Sequence, residues 1–280
     1  TKYMITFLTD FFYNLLVFFA YLIPGNYVWI AVVIITILIR LAFLRPTYSM
    51  LKTQGKQKNV QHKIDAIKKQ YKDDQKAQQQ ALMELYKKEG INPLGSCLPM
   101  IIQIILLFGF YGVFTRIGFD EIHLDKLYSF TPHPSSLNPW FFGADLTQTV
   151  SQLVKGPVGW VAILFPVLTG LTQMYQSIQA KALQPKATQG DKTADFSKAL
   201  NLQMTYLMPL FIAYISYTLP SALSIYWITQ TLAMVVQQHF MIKKFKAEEI
   251  VVEEIAEALD AKSIKEFKKG GVTVTVREKK

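Results

Sequence analysis

Five stretches of this chain are apolar enough to leave water and long enough, or nearly so, to cross a bilayer: residues 27 to 45, 95 to 117, 158 to 176, 204 to 219 and 222 to 242. A helix needs about 17 to 25 mostly apolar residues to span the hydrocarbon core, where unpaired backbone groups find no water. The last two stretches are parted only by LPSAL, where Pro220 and Ser221 break the helix and reverse the chain. That makes a tight hairpin of two short spans. Hydrophobic residues at 51% and a mean hydropathy of +0.20 exclude an ordinary soluble domain, which needs a polar surface. The lone Cys97 forms no internal disulfide and leaves the redox compartment open. The chain opens at Thr1 without a secretory signal pattern, which reads as a processed or truncated N-terminus.

Segment 3 to 23 is apolar but interrupted by Asp10 and Asn14, and PGN at 24 to 26 turns it straight into the first span. It reads as an interfacial helix lying along the bilayer, with a sixth span as the alternative. The basic residues give the orientation. Of 30 Lys and Arg, 26 fall in 40 to 90, 180 to 200 and 243 to 280, leaving Lys2, Arg116, Lys126 and Lys155 for the other side. Five spans put the three basic stretches on one face, so the positive-inside rule places the N-terminus outside and the C-terminus in the cytoplasm. The expected order is an external interfacial helix (1–25), a first span (26–46), a cytoplasmic helical hairpin (47–91), a second span (92–117) and an external loop (118–156). A third span (157–178), a cytoplasmic loop (179–203), spans four and five (204–219 and 220–242) and a cytoplasmic tail (243–280) complete it.

The hairpin is expected from two apolar stripes at helical spacing, Val60, Ile64, Ile67 and Tyr71, then Leu82, Leu85 and Tyr86. Asp73 or Asp74 is placed to cap its second helix, and Gly90 suits the left-handed position that ends it. Asn92 and Pro93 then supply a cap and a first helical residue for the second span. Such a basic surface is either a solvated face that only orients the chain or a docking surface for acidic partners, nascent protein or lipid headgroups. His123 and His133 lack companions that would make a metal site and read as loop residues. The basic clusters of the tail fit anionic lipid or RNA phosphates, or a plain membrane-edge anchor.

One charge stands inside the apolar runs. Arg45 ends the first span and can reach the headgroups, but Arg40 is about 7 Å deeper and turned by roughly 140° from it. A charge at the centre of a membrane helix costs about 2.5–3.5 kcal/mol, so it faces water or a partner. No acidic residue lies in any of the five spans. A hydrated pocket therefore explains Arg40 better than an internal ion pair, with long-range snorkelling as the bland alternative. Polar groups recur at compatible depth: Gln103 in the second span, Thr169, Gln173 and Gln176 on one face of the third, Ser224, Trp227 and Thr231 along the fifth, and Gln237 and Gln238 at its end. Singly, each is helix glue; together with Arg40 they suggest a groove wetted from the cytoplasm.

Arg40 in the first span, LMELYKKEGINPLGSCLPMIIQ at 82 to 103 and MPLFIAYISYTLPSALSIYWITQTLAMVVQQ at 208 to 238 resemble the YidC family of membrane protein insertases, in its smaller form without a large external domain. The resemblance covers most of residues 1 to 245. It departs from the pattern at Ala222, where the family often has Gly near the LPS turn, and in an external loop of unusual length. It implies an all-α membrane protein: a five-transmembrane-helix bundle with an N-terminal interfacial helix and a cytoplasmic helical hairpin, surrounding a hydrophilic groove closed outside and open to the cytoplasm and to lipid. Arg40 is then the groove cation, and Tyr226, Trp227 and Gln230 of the YW…Q pattern line the groove with Gln103, Thr169, Gln173 and Gln176. The implied partners are nascent membrane proteins and the lipid bilayer, with the ribosome (through the C-terminal tail) and the secretion channel as further candidates, and no DNA. The implied setting is a bacterial inner membrane, with no cofactor, no metal and no enzymatic step. An anion or small-solute transporter using Arg40 as its binding charge is the rival, although no inverted repeat or pair of broken helices is visible.

Overall fold

The computed structural model describes residues 2–72, 74–91, 98–117, 123–181, 202–260, 266–269 and 272–275. The chain is mostly helical. Its order is α1 (Lys2–Tyr21), α2 (Val28–Ala42), α3 (Leu44–Asn59), α4 (Gln61–Gln70), α5 (Gln75–Lys88), α6 (Leu98–Gly112) ending in a π-helical turn (Val113–Ile117), the short strands β1 (Trp140–Phe141) and β2 (Ala144–Asp145), and α7 (Val150–Leu153). Then come α8 (Leu164–Ala180) after a 3-10 turn (Gly159–Ile163), α9 (Met208–Thr218) after a π-helical turn (Gln203–Leu207), α10 (Ala222–Asp260), and a hairpin of β3 (Glu266–Lys269) and β4 (Val272–Thr275). Asp73, Asn92, Pro93, Cys97 and most of the 179–203 loop lie outside the described residues.

Among the described residues, one helix is long and apolar enough to cross a membrane by itself, the 22-residue run Gly159–Ala180; α2 with α3 is a second if the bent pair counts as one span. The surface argues in the same direction. Leu164, Val167, Leu168, Leu171, Tyr175 and Ile178 stand exposed at spacings of three and four along α8, and Ile101, Ile104, Ile105 and Phe108 do so on α6. Contiguous apolar faces of this extent are not kept in water by soluble proteins. Lipid is their natural solvent.

The first span differs from the sequence expectation. The helix breaks at Phe43 with a bend of 61°, and α3 continues to Asn59 across the boundary expected at 46. Pro46 explains the position, because a proline ring clashes with the carbonyl four residues earlier, that of Ala42, and brings no N–H to bond it. Beyond the bend, Met50 and Leu51 pack with Met234 and Met241 of α10. The helix that holds the expected fifth span continues into the expected tail: α10 runs 39 residues to Asp260, about 58 Å at about 1.5 Å per residue, roughly twice a bilayer core. No proline or glycine interrupts it.

α4 and α5 pack through Val60, Ile64, Ile67, Leu82, Leu85, Tyr86 and Ile91, a cluster separate from the main core. The Asp74 carboxylate accepts from Ala77 N at 3.0 Å and caps α5, and Gly90 takes a φ of 63° after it. The main core joins α1, α2, α6 and the first turns of α10, with Tyr13, Leu16, Val28, Ile35, Phe110, Leu223 and Tyr226 fully buried. α1 approaches α6 where Phe12 faces Gly109 and Thr9 faces Gly112, contacts so close that a Cβ on either glycine would overlap them.

The 123–153 segment is tied to the bundle by polar atoms. Asn14 is buried, donates to the carbonyls of Asp10 and Lys126 (both 2.8 Å), and accepts from Tyr128 N and Thr131 Oγ1 (both 2.7 Å). The polarity that interrupts segment 3 to 23 is therefore satisfied inside the protein. Further along, Ser221 N donates to Gln148 O at 2.9 Å, Ala222 N to Leu146 O at 3.1 Å and Val28 N to Asn138 O at 2.9 Å, pinning this strap across the α9–α10 turn and the start of α2. A capping box between Thr149 and Gln152 fixes the short α7 within it.

Candidate functional site

α10 is the helix that gathers the polar side chains. Its residues 224, 227, 231, 234 and 238 follow one another at three- and four-residue spacing and so share one face, while 226, 230 and 237 form a second row beside it. Near the strap, Ser224 Oγ and Ser216 Oγ of α9 are 2.7 Å apart, and Ser216 donates in turn to Thr169 Oγ1 of α8 at 3.5 Å. All three are buried, so the hydroxyl chain satisfies itself and joins three helices.

One helical turn or two further along the seam, amides take over from hydroxyls. Thr231 Oγ1 donates to Gln173 Oε1 at 3.2 Å, and Gln173 Nε2 reaches Gln176 Oε1 at 3.4 Å, linking α10 to α8. Across the other row, Gln230 donates its amide to Gln103 and links α10 to α6. Tyr226 is fully buried with its ring 5.3 Å from that of Phe110, and Trp227 is nearly as buried beside it. Thus the structure joins Gln103 with Gln230, joins Thr169 to the hydroxyl chain, and groups Gln173 with Gln176.

Arg40 stands apart from those amide pairs. Its Nη1 donates to Met234 Sδ at 3.6 Å, and its Nε is buried without a partner. A thioether is a weak acceptor, so this contact orients the guanidinium while neutralising none of its charge. Met234 escaped the sequence reading because it is apolar. The signal was its place on the Ser224, Trp227, Thr231 face, three residues beyond Thr231. Ser216 was missed for the opposite reason: a single serine in an apolar helix looks like helix glue, and here it is that.

Several buried polar atoms along the seam have no protein partner: Tyr226 OH, Gln230 Oε1, Gln237 Oε1 and Gln238 Oε1 on α10, Gln179 Oε1 on α8 and Arg40 Nε on α2. Leaving each unpaired costs about 1–3 kcal/mol, so they call for water or a polar ligand. Those of Arg40, Gln179, Gln237 and Gln238 lie toward the end of the bundle away from the strap, and those of Tyr226 and Gln230 lie one to two turns from it. Among the described residues no group of His, Cys, Asp and Glu could hold a metal ion. Among the described residues, the seam offers unpaired hydrogen-bonding atoms and the Arg40 guanidinium.

Comparison with known proteins bears on this seam. A family model described as 60Kd inner membrane protein matches residues 18–248. A protein named membrane protein insertase YidC from Fusobacterium nucleatum is 30% identical over 220 residues, covering 79% of this chain and 88% of that protein. Proteins of the same name from Stutzerimonas stutzeri (26% over 224 residues) and Bradyrhizobium diazoefficiens (30% over 243 residues) are longer, and the chain spans only 33% and 35% of their lengths. The matched region takes in α2 to the middle of α10 and every residue of the seam.

Proposed function

The chain belongs to the 60Kd inner membrane protein family, and from that premise we propose that it is a membrane protein insertase, receiving hydrophobic segments from the cytoplasm and releasing them sideways into the bilayer. The observation that carries the mechanism is Arg40: a half-buried guanidinium whose hydrogen bond goes to a thioether and not to a carboxylate. A substrate helix with an acidic tail must otherwise drag its charges through hydrocarbon. A wet groove lined by Gln103, Thr169, Gln173, Gln176, Tyr226, Trp227 and Gln230 shortens that path. Arg40 pairs the tail carboxylate on the way, and the apolar helix then partitions into lipid by its own burial, without nucleotide or metal.

This reading takes α2, α6 with its π turn, α8, α9 with its π turn, and the first half of α10 as five spans. α1 lies in the outer interface and α3–α5 in the cytoplasm of a bacterial cell. Nascent membrane proteins are the substrates. The ribosome, through the far end of α10 and the tail, and a secretion channel are the further partners proposed.

The test is insertion of one single-span substrate with an acidic, neutral or basic tail into liposomes containing the purified chain. Arg40→Ala should fold and lose most of its activity toward the acidic tail, Arg40→Lys should keep much of it, and Arg40→Glu should invert the tail preference. Equal losses for all three tails would reduce Arg40 to a hydrating or shaping role. Uptake of a small anion with no insertion would favour a transporter.

A further inference from the structure

The β1–β2 hairpin turns through Phe142 and Gly143, both with positive φ, 46° and 85°. Two-residue hairpin loops of this kind are normally Asn-Gly or Asp-Gly, because a bulky side chain at positive φ is strained. Phe142 is nevertheless at the apex and is 91% exposed. Among the described residues its ring makes one aromatic contact, edge-on with Phe141. Nearby, the 3-10 turn before α8 presents Trp160 at 80% exposure, and Trp140 of β1 is exposed as well. Folding alone gives no reason for three large rings to stand in the open here.

Their position supplies one. Phe141, between Trp140 and Phe142, packs on Trp29 of α2 (5.3 Å) and on Phe165 of α8 (5.9 Å), so the hairpin is held where both apolar helices begin. The exposed α8 stripe of Leu164, Val167, Leu168, Leu171, Tyr175 and Ile178 starts directly after Trp160. The aromatic patch is thus the continuation of a lipid-facing stripe at its end, with the exposed Lys155 just before it. Aromatic rings at the ends of membrane helices, with a basic residue alongside, match the headgroup layer.

We infer that Phe142, Trp140 and Trp160 form a membrane anchor, inserted in the headgroup and upper acyl region of one leaflet, which sets the depth of α8 and holds the strap against the bundle. The partner is the lipid surface itself. The inference rests on the reading of α2 and α8 as spans. Spin labels on single cysteines at positions 142, 160, 171 and 135, with Cys97 replaced by Ser, test it in the full chain reconstituted in phosphatidylcholine and phosphatidylglycerol vesicles. Labels at 142 and 160 should favour collision with oxygen over a water-soluble nickel chelate severalfold more than the label at Ser135, at a depth shallower than that at Leu171. Labels at 142 and 160 as open to nickel as Ser135, with Leu171 still shielded, would overturn the anchor alone. A nickel-accessible Leu171 would overturn the reading of α8 as a span, and the anchor with it.

Discussion

Arg40 is held in place by an atom that barely competes for it, and this makes Met234 as informative as the arginine. Met234→Glu would put a carboxylate within reach of the guanidinium. Insertion of acidic-tailed substrates should then fall by about tenfold, equivalent to about 1.4 kcal/mol, with neutral tails little affected and thermal stability undiminished; Met234→Leu should stay near the parent for every tail. Asn14 is the converse case, a polar side chain with all of its capacity spent. Asn14→Ala leaves several buried partners unsatisfied and should lower stability by about 2–3 kcal/mol, measured by thermal unfolding in detergent, with faster proteolysis within 123–131. The two residues differ in how far the sequence discloses them. A charge in an apolar run demands a partner wherever it lies, so Arg40 was legible. Asn14 weighed against burial in the sequence only because its partners at 126, 128 and 131 are more than a hundred positions away.

Pro46 was equally visible in the sequence, yet the natural inference ends the helix at the proline, while the steric conflict acts one turn earlier and breaks it at Phe43. The glycines of α6 show a related limit: spacing gives their face but not the ring and hydroxyl that press on them. Gly112→Val would drive a side chain into Thr9, and Gly109→Leu into the Phe12 ring. Each should destabilise by roughly 1–3 kcal/mol, and trimming Thr9 to Ala should partly rescue the first, as a double-mutant cycle of unfolding would show. In the α4–α5 pair, Lys63 Nζ bonds Glu89 Oε1 at 2.7 Å and holds that carboxyl below its usual range. The contribution is complete above the free glutamate value of about 4.3 and fades as pH falls through the lower folded value. Amide exchange in α4 and α5, corrected for intrinsic rates, should therefore speed up on acidification through that window, and Glu89→Gln should abolish the dependence. The α4–α5 stripes were readable because helical periodicity is local; the continuation of α10 past 242 was not, since the acidic and basic residues that mark the end of the apolar run do not end a helix.

For the molecule as a whole, the two ends of the bundle are built on opposite principles. At one, backbone groups of the strap and of the α9–α10 turn bond each other, and Leu146 lies fully buried beneath them. At the other, amide oxygens and a guanidinium nitrogen remain unpaired. The α4–α5 pair belongs to neither, having its own small core. Replacing 61–88 with a short Gly/Ser link should therefore leave the melting of the membrane core nearly unchanged while insertion activity drops. A core that fails to assemble would contradict this. The direction of the asymmetry has an energetic meaning for the cell. A membrane that stores an ion gradient tolerates a water-filled slot only if it is a cul-de-sac, and on the insertase reading proposed above the strap's backbone bonds to Ser221 and Ala222 are what would close the groove to protons and cations at that end.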